Sequence, residues 1–169
     1  MLVYHPAFDL YNCAFRMLLI LHHIKSEEVN LEKILIWDYY VTFPYKVNEI
    51  KFPNNIRTYK KLFSKLQPNP YEIVSDDKIV FSRMRNFQIS ALRHLASCGL
   101  IDIKSFEEGI IKRTSTQIPE AIIAQFENVS VSIKNVIVLV ESPFTDLNLY
   151  GQNGFKDRTK LIDFRYDDI

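Results

Sequence analysis

The chain has 169 residues, 47% of them hydrophobic and 13% aromatic, which is apolar material for one packed core or for two small lobes that share one. The 21 basic and 20 acidic residues give a net charge of +1, which argues against a dedicated polyanion-binding domain, because such domains are usually strongly basic. The two cysteines, Cys13 and Cys98, lack CxxC or Cys/His spacing, and this argues against a disulfide framework or a zinc site.

The N-terminal residues show no basic stretch followed by a small-residue cleavage site, so they do not resemble a signal peptide. The longest apolar run, residues 136–140, is far too short to cross a bilayer. We therefore expect a cytoplasmic protein that makes no membrane contact.

Helical spacing dominates residues 1–67, which we predict to form a helical N-terminal lobe. A first helix opens after Pro6 and Asp9 and runs to about Ile24, and a second is capped by Asn30. A third helix is predicted to begin at Asn54 or Asn55 and to end before the Pro-rich breaker at 67–70. The apolar face of the first helix is predicted to hold Phe8, Tyr11, Phe15, Leu18, Leu19 and His22.

Asp38 lies among large apolar residues at the end of the second helix, beside Trp37, Tyr39 and Tyr40. A buried carboxylate needs a partner, and Arg16 or Arg158 could supply a bidentate one. Such a pairing favours an architectural role for Asp38 over a catalytic one.

Residues 71–169 are predicted to form a winged-helix-like lobe, which together with the first lobe makes one compact unit. In segment 81–114, a helix ends at Gly99 and two strands, 100–103 and 110–113, flank a turn. A short strand at 71–74, a helix at about 118–140, a polar loop at 151–159 and a last strand at 161–166 complete the lobe, and the β-branched part of that helix, 129–140, fits a strand as well as a helix. The predicted fold class is thus mainly α with a small antiparallel β-ribbon.

The helix and ribbon of segment 81–114 carry most of the candidate contact residues. On a winged helix these cations could face nucleic-acid phosphates or a protein partner. Two acidic residues at the predicted wing tip, Glu107 and Glu108, favour the protein partner. The candidates are Arg83, Arg85, Arg93, His94, Lys104, Lys112 and Arg113.

The sequence contains no P-loop, no GxSxG elbow and no HExxH motif, so it predicts no catalytic residues, no metal ligands and no cofactor. A non-enzymatic protein is the favoured interpretation. Two alternatives stay open: a winged-helix DNA-binding regulator, and an enzyme with a carboxylate cluster that sequence spacing does not reveal.

Several segments together resemble the middle components of bacterial ABC-three-component systems. They are residues 4–9 (YHPAFD), 36–40 (IWDYY), 92–103, 154–161 (GFKDRTKL) and 164–167 (FRYD). The resemblance implies an adaptor without enzymatic activity in a defence complex against phage or plasmids. The implied partners are an SMC-like or ABC ATPase that senses DNA, and an effector subunit. It also implies that Asp38 and the Lys156, Asp157 and Arg158 region serve the family's shared architecture or its shared interface.

Overall fold

The computed structural model describes residues 5–68, 70, 74 and 76–162, and these are mostly helical with one two-stranded antiparallel sheet. This confirms the predicted fold class. The α-helices of the described residues are α1 (Leu10–His23), α2 (Leu31–Thr42), α3 (Asp77–Ser97), α4 (Ile103–Glu107), α5 (Glu120–Phe126), α6 (Val131–Glu141) and α7 (Phe155–Thr159). The strands are β1 (Glu28–Asn30) and β2 (Ile110–Lys112), and 3₁₀ helices cover Pro6–Phe8, Pro44–Glu49 and Asn54–Phe63.

Side-chain caps set where the long helices begin. The carboxylate of Asp9 accepts the backbone N–H of Asn12 at 2.8 Å, and the Asn30 side chain accepts that of Glu32 at 2.8 Å. Each cap satisfies a backbone donor that the first helical turn leaves unpaired. The predicted starts of the first two helices are therefore confirmed.

The core lies between α1, α2, α3 and α6, which pack against one another. Residues 34–41 of α2 are all buried, as are residues 16–21 of α1. A helix that is apolar nearly all round belongs inside the protein, and α2 fills that position. The predicted inward face of α1 was wrong at two residues, because Tyr11 is 88% exposed and His22 is also exposed.

Helices from both sides of the predicted boundary at 67–71 meet in this core. α1 packs along α3, and α2 packs against α6. The division into lobes 1–67 and 71–169 stays a prediction.

The β-ribbon differs from the predicted hairpin. β2 pairs antiparallel with β1, in the register Glu28–Lys112, Val29–Ile111 and Asn30–Ile110. Of the predicted pairing between 100–103 and 110–113, one bridge forms, between Ile101 and Arg113.

The reason for this difference is the cap at Asp102. Its carboxylate accepts the backbone N–H of Ser105 at 2.8 Å and the Ser105 hydroxyl at 2.7 Å, which starts α4 where a strand and turn were predicted. Glu107 and Glu108 consequently lie at the end of a short helix and not at the tip of a wing. The helix that precedes this unit ends as predicted, with Gly99 at φ +76° just beyond it.

Three other predicted elements need correction, and two lie largely outside the described residues. The third helix is a 3₁₀ helix, Asn54–Phe63, that follows Pro53 without a side-chain cap. The helix predicted at 118–140 is interrupted, because Ser130 caps a separate helix, α6. The loop predicted at 151–159 contains α7. The strands predicted at 71–74 and 161–166 fall largely outside the described residues.

Among the described residues, no single helix is long and apolar enough to cross a membrane. α5 and α6 taken together are long and apolar enough, but the chain bends by 107° between them.

Gly154, which precedes α7, gives a test of this packing. A Cβ atom there would overlap the Tyr150 carbonyl oxygen, although the φ of −69° suits any residue. We expect Gly154→Ala to lower the free energy of unfolding by about 2–3 kcal/mol in urea titrations, because backbone must move. The control is Gly151→Ala, where φ is +80° but no atom lies within 4 Å, so only strain of about 1 kcal/mol is expected. Equal losses in the two variants would contradict the close approach at Gly154.

Candidate functional site

A mostly apolar groove lies between the N-terminal half of α1 and the C-terminal end of α3, with a volume of about 470 Å³. We call it the α1–α3 groove. Its rim carries Leu10 and Tyr11, which are 44% and 88% exposed. The groove is lined by Leu10, Tyr11, Ala14, Leu18, His94, Leu95, Cys98, Leu100, Thr116, Gln117, Pro119 and Ile122.

One side of α1 lines the groove, and the opposite side faces the interior of the protein. Leu10, Ala14 and Leu18 follow one another at four-residue steps and line the groove. Arg16 projects from the opposite side of the same helix, since successive residues turn by about 100°. The position of the groove wall is therefore fixed by what Arg16 contacts inside the protein.

Arg16 forms a buried, bidentate ion pair with Asp38 of α2. Its Nε donates to Asp38 Oδ1 at 2.6 Å and its Nη2 donates to Asp38 Oδ2 at 3.2 Å. Arg16 is 7% exposed and Asp38 is fully buried. Burial by itself would lower the pKa of Arg16, but the adjacent Asp38 carboxylate raises it above its ordinary value.

Further hydrogen bonds complete this pair. Arg16 Nη1 donates to the Pro6 carbonyl oxygen at 2.9 Å, and Gln88 Nε2 of α3 donates to Asp38 Oδ2 at 2.9 Å and to the Leu35 carbonyl oxygen at 3.0 Å. Buried charges are tolerated when their donors and acceptors are paired in this way. The result is one polar junction that links α1, α2, α3 and the segment before α1.

Cys13, one turn before Arg16, shares this environment. Burial raises the pKa of its thiol to about 12, and the Asp38 carboxylate acts in the same direction. The second cysteine, Cys98, is exposed and lines the α1–α3 groove, with its Sγ 3.8 Å from His94 Nε2.

The aromatic neighbours of Asp38 are buried in the core. Trp37 is fully buried, and Tyr39 and Tyr40 are 1% and 3% exposed. The Tyr39 hydroxyl donates to Asp77 Oδ1 at 2.9 Å. These side chains therefore build the architecture of this monomer and are not accessible for a partner.

The Lys156, Asp157 and Arg158 region fixes α7 to the rest of the molecule. Lys156 Nζ lies 2.5 Å from Glu32 Oε2, and Asp157 Oδ2 accepts the backbone N–H of Asn153 at 2.9 Å. Arg158 donates to the carbonyl oxygens of Asn153 at 2.6 Å and Lys51 at 2.8 Å. Of the two arginines proposed as partners of Asp38, the structure thus pairs Arg16, and Arg158 has a separate role.

The basic residues of segment 81–114 do not converge on one surface. Arg83 lies over the Phe8 ring at 4.6 Å, and Lys112 pairs with Glu28 at 2.7 Å. Arg93, His94 and Arg113 line three different hollows. The other two members of the set, Arg85 and Lys104, are half-buried and exposed. The assignment of the set to a nucleic-acid or partner contact stays a prediction.

The part of the chain that the structure describes brings no three His, Cys, Asp or Glu side chains together at metal-binding distance.

Comparison with known proteins adds the family. A family model described as ABC-three component (ABC-3C) system Middle Component 5 matches residues 2–167. The chain belongs to this family. Neither the curated proteins nor the solved structures gave a match.

Membership of Middle Component 5 makes this protein a subunit of an ABC-3C system, which implies partner subunits in that system. The recognition from the sequence is thereby confirmed. A subunit of a complex needs a surface that another subunit can cover, and the exposed apolar α1–α3 groove is such a surface.

Sequence reasoning missed the residues that form this groove. Helical spacing places Tyr11 on the apolar face of α1, and no sequence pattern distinguishes Leu10, yet both are exposed. The positions of Cys13 and Arg16 could have predicted the exposure of Tyr11. A helix that buries those two residues must turn Tyr11 outward, since successive residues differ by about 100°. Gln88 and Glu32 were also missed, because their partners are distant in sequence.

The polar junction predicts a large loss of stability when one charge is removed. We expect Asp38→Ala to lower the free energy of unfolding by about 3–5 kcal/mol, because Arg16 would stay buried without its counter-charge. Urea unfolding monitored by circular dichroism measures this loss.

A double-mutant cycle provides the control. We expect the double variant Arg16→Met with Asp38→Leu to lose less stability than the sum of the two single variants, because neither charge is left unpaired. Additive losses would contradict a coupled pair.

Proposed function

We propose that this protein is a non-enzymatic adaptor that couples the ATPase of an ABC-three-component defence complex to its effector. The ATPase is of the SMC-like or ABC type and senses DNA, and the complex acts in the cytoplasm against phage or plasmids. Membership of the Middle Component 5 family supports the subunit role on which this proposal builds.

The observation that carries the proposal is the exposed apolar rim of the α1–α3 groove. Tyr11 is 88% exposed and Leu10 44% exposed, next to half-buried Ala14 and Ile122. Protein interfaces are built around such aromatic and aliphatic anchors, which lose their water when a partner packs over them. The rigid base beneath the groove suits this use, because a preorganised surface loses little entropy on binding.

An apolar helix of the ATPase subunit is the occupant that we assign to the groove. Helix-in-groove binding inserts anchors at three- and four-residue spacing between two helices of the receptor. α1 and α3 provide the two walls, and residues of the segment 116–122 also line the groove. The uncharged lining, with His94 as its one titratable imidazole, favours an apolar partner face over a charged one.

Mutation at the rim tests the proposal. Tyr11→Arg places a cation in the groove, and we expect it to weaken binding of the ATPase by about 10-fold or more, as loss of an aromatic anchor does. The measurement is co-elution of the co-expressed ATPase in size-exclusion chromatography, followed by titration of the purified subunits.

The matched control is Val131→Arg, which puts the same side chain on α6 at a position that is 74% exposed and outside the groove. We expect this variant to bind the ATPase like the unchanged protein. Equal effects of the two variants, or no complex with the unchanged protein, would rule out the groove as the docking site.

A further inference from the structure

The strongest local charge of the chain lies outside the α1–α3 groove and outside the basic residues of segment 81–114. Between Glu49 and Glu72 the sequence contains five basic residues and no acidic one. This local charge of +5 contrasts with the net charge of +1 for the whole chain, so the rest of the protein is net acidic. The five residues are Lys51, Arg57, Lys60, Lys61 and Lys65.

The 3₁₀ helix Asn54–Phe63 gathers most of these cations on one surface. Arg57, Lys60 and Lys61 stand three and four residues apart along it, and all three line one shallow hollow of about 720 Å³. The described residues that line it all carry a polar or basic group, and they are Asn48, Asn54, Arg57, Thr58, Lys60, Lys61 and Ser64.

These cations have no counter-charge within the described residues. None of the five forms a salt bridge there, whereas Glu49, the nearest preceding carboxylate, is held by Lys46 at 2.9 Å. Lys60 makes one long hydrogen bond, 3.4 Å, to the Ile50 carbonyl oxygen. Like charges brought together without partners repel one another, so this concentration does not serve the stability of the fold.

Contacts with the rest of the protein hold the backbone on both sides of these cations. Phe63 is fully buried, and Asn48 donates to the Phe63 carbonyl oxygen at 2.7 Å. Arg158 donates to the Lys51 carbonyl oxygen at 2.8 Å, which brings another guanidinium to the edge of the patch. The cationic heads therefore project from a backbone held at both ends.

We propose that this 3₁₀-helix patch binds the phosphate backbone of nucleic acid, as a DNA contact made by the subunit itself. Closely spaced cations interleaved with uncharged donors, here Asn54, Thr58 and Ser64, match the side chains that hold phosphate oxygens without reading the base sequence. None of the described residues that line the hollow is aromatic, which favours the duplex backbone over stacking with single-stranded bases.

Fluorescence anisotropy with a labelled duplex of mixed sequence tests the proposal on the full-length protein. Contacts to about four phosphates predict a loss in affinity on the order of 100-fold between about 50 and 200 mM salt. We expect Arg57→Glu with Lys61→Glu to abolish binding, and Arg57→Gln with Lys61→Gln to weaken it and to reduce the salt dependence. Unchanged melting temperatures show that these exposed substitutions leave the fold intact.

The charge-matched control is Arg93→Glu with Lys104→Glu, which removes the same charge from α3 and α4. We expect it to retain duplex binding. Equal loss in this control would overturn the assignment to the 3₁₀-helix patch, as would absence of salt-dependent binding by the unchanged protein.

Binding of polyglutamate or of phosphatidylserine vesicles as tight as that of the duplex would also overturn it, since the patch would then bind any polyanion. Co-elution with the ATPase is expected to survive the patch substitutions, which separates this proposal from the docking groove.

Discussion

The pairing of Arg16 with Asp38 is the constraint from which the rest of the structure follows. Two charges removed from water are tolerable only when almost every donor and acceptor is occupied, and here Gln88 and the Pro6 carbonyl oxygen complete the set. Meeting that condition fixes α1, α2 and α3 relative to one another. Because α1 carries Arg16 on one side and Leu10, Ala14 and Leu18 on the other, the interior pairing also determines the shape of an exterior surface.

Sequence patterns a few residues long predicted the elements that depend on interactions between nearby residues. Asn30 and Asp9 mark helix starts because a capping side chain acts within three residues, and a buried aspartate among aromatic residues requires a cation. The partner of β2 could not be found in this way, since β1 is about eighty residues away and the near strand was the obvious choice. Asp102 decided the outcome by capping a helix where the alternation of apolar residues suggested a ribbon.

The candidate sites were less predictable than the fold for a related reason. Arg83, Arg93 and Lys112 fall within one segment of the sequence, but a helix and a strand turn them toward different hollows and partners. Arg57, Lys60 and Lys61 form a patch because they lie three and four residues apart on one helical segment, Asn54–Phe63. The net charge concealed this patch, since acidic residues elsewhere offset the local excess.

The two cysteines differ in their expected reactivity toward thiol reagents. Thiol reagents attack the thiolate, and the Cys13 thiol is both buried and held protonated by a pKa of about 12. Cys98 is exposed on the wall of the α1–α3 groove. The natural chain therefore offers one attachment point for a maleimide fluorophore or a photo-crosslinker, placed beside the surface whose occupant is sought. A probe there would report occupation of the groove, and would capture the occupant covalently, without any engineered substitution.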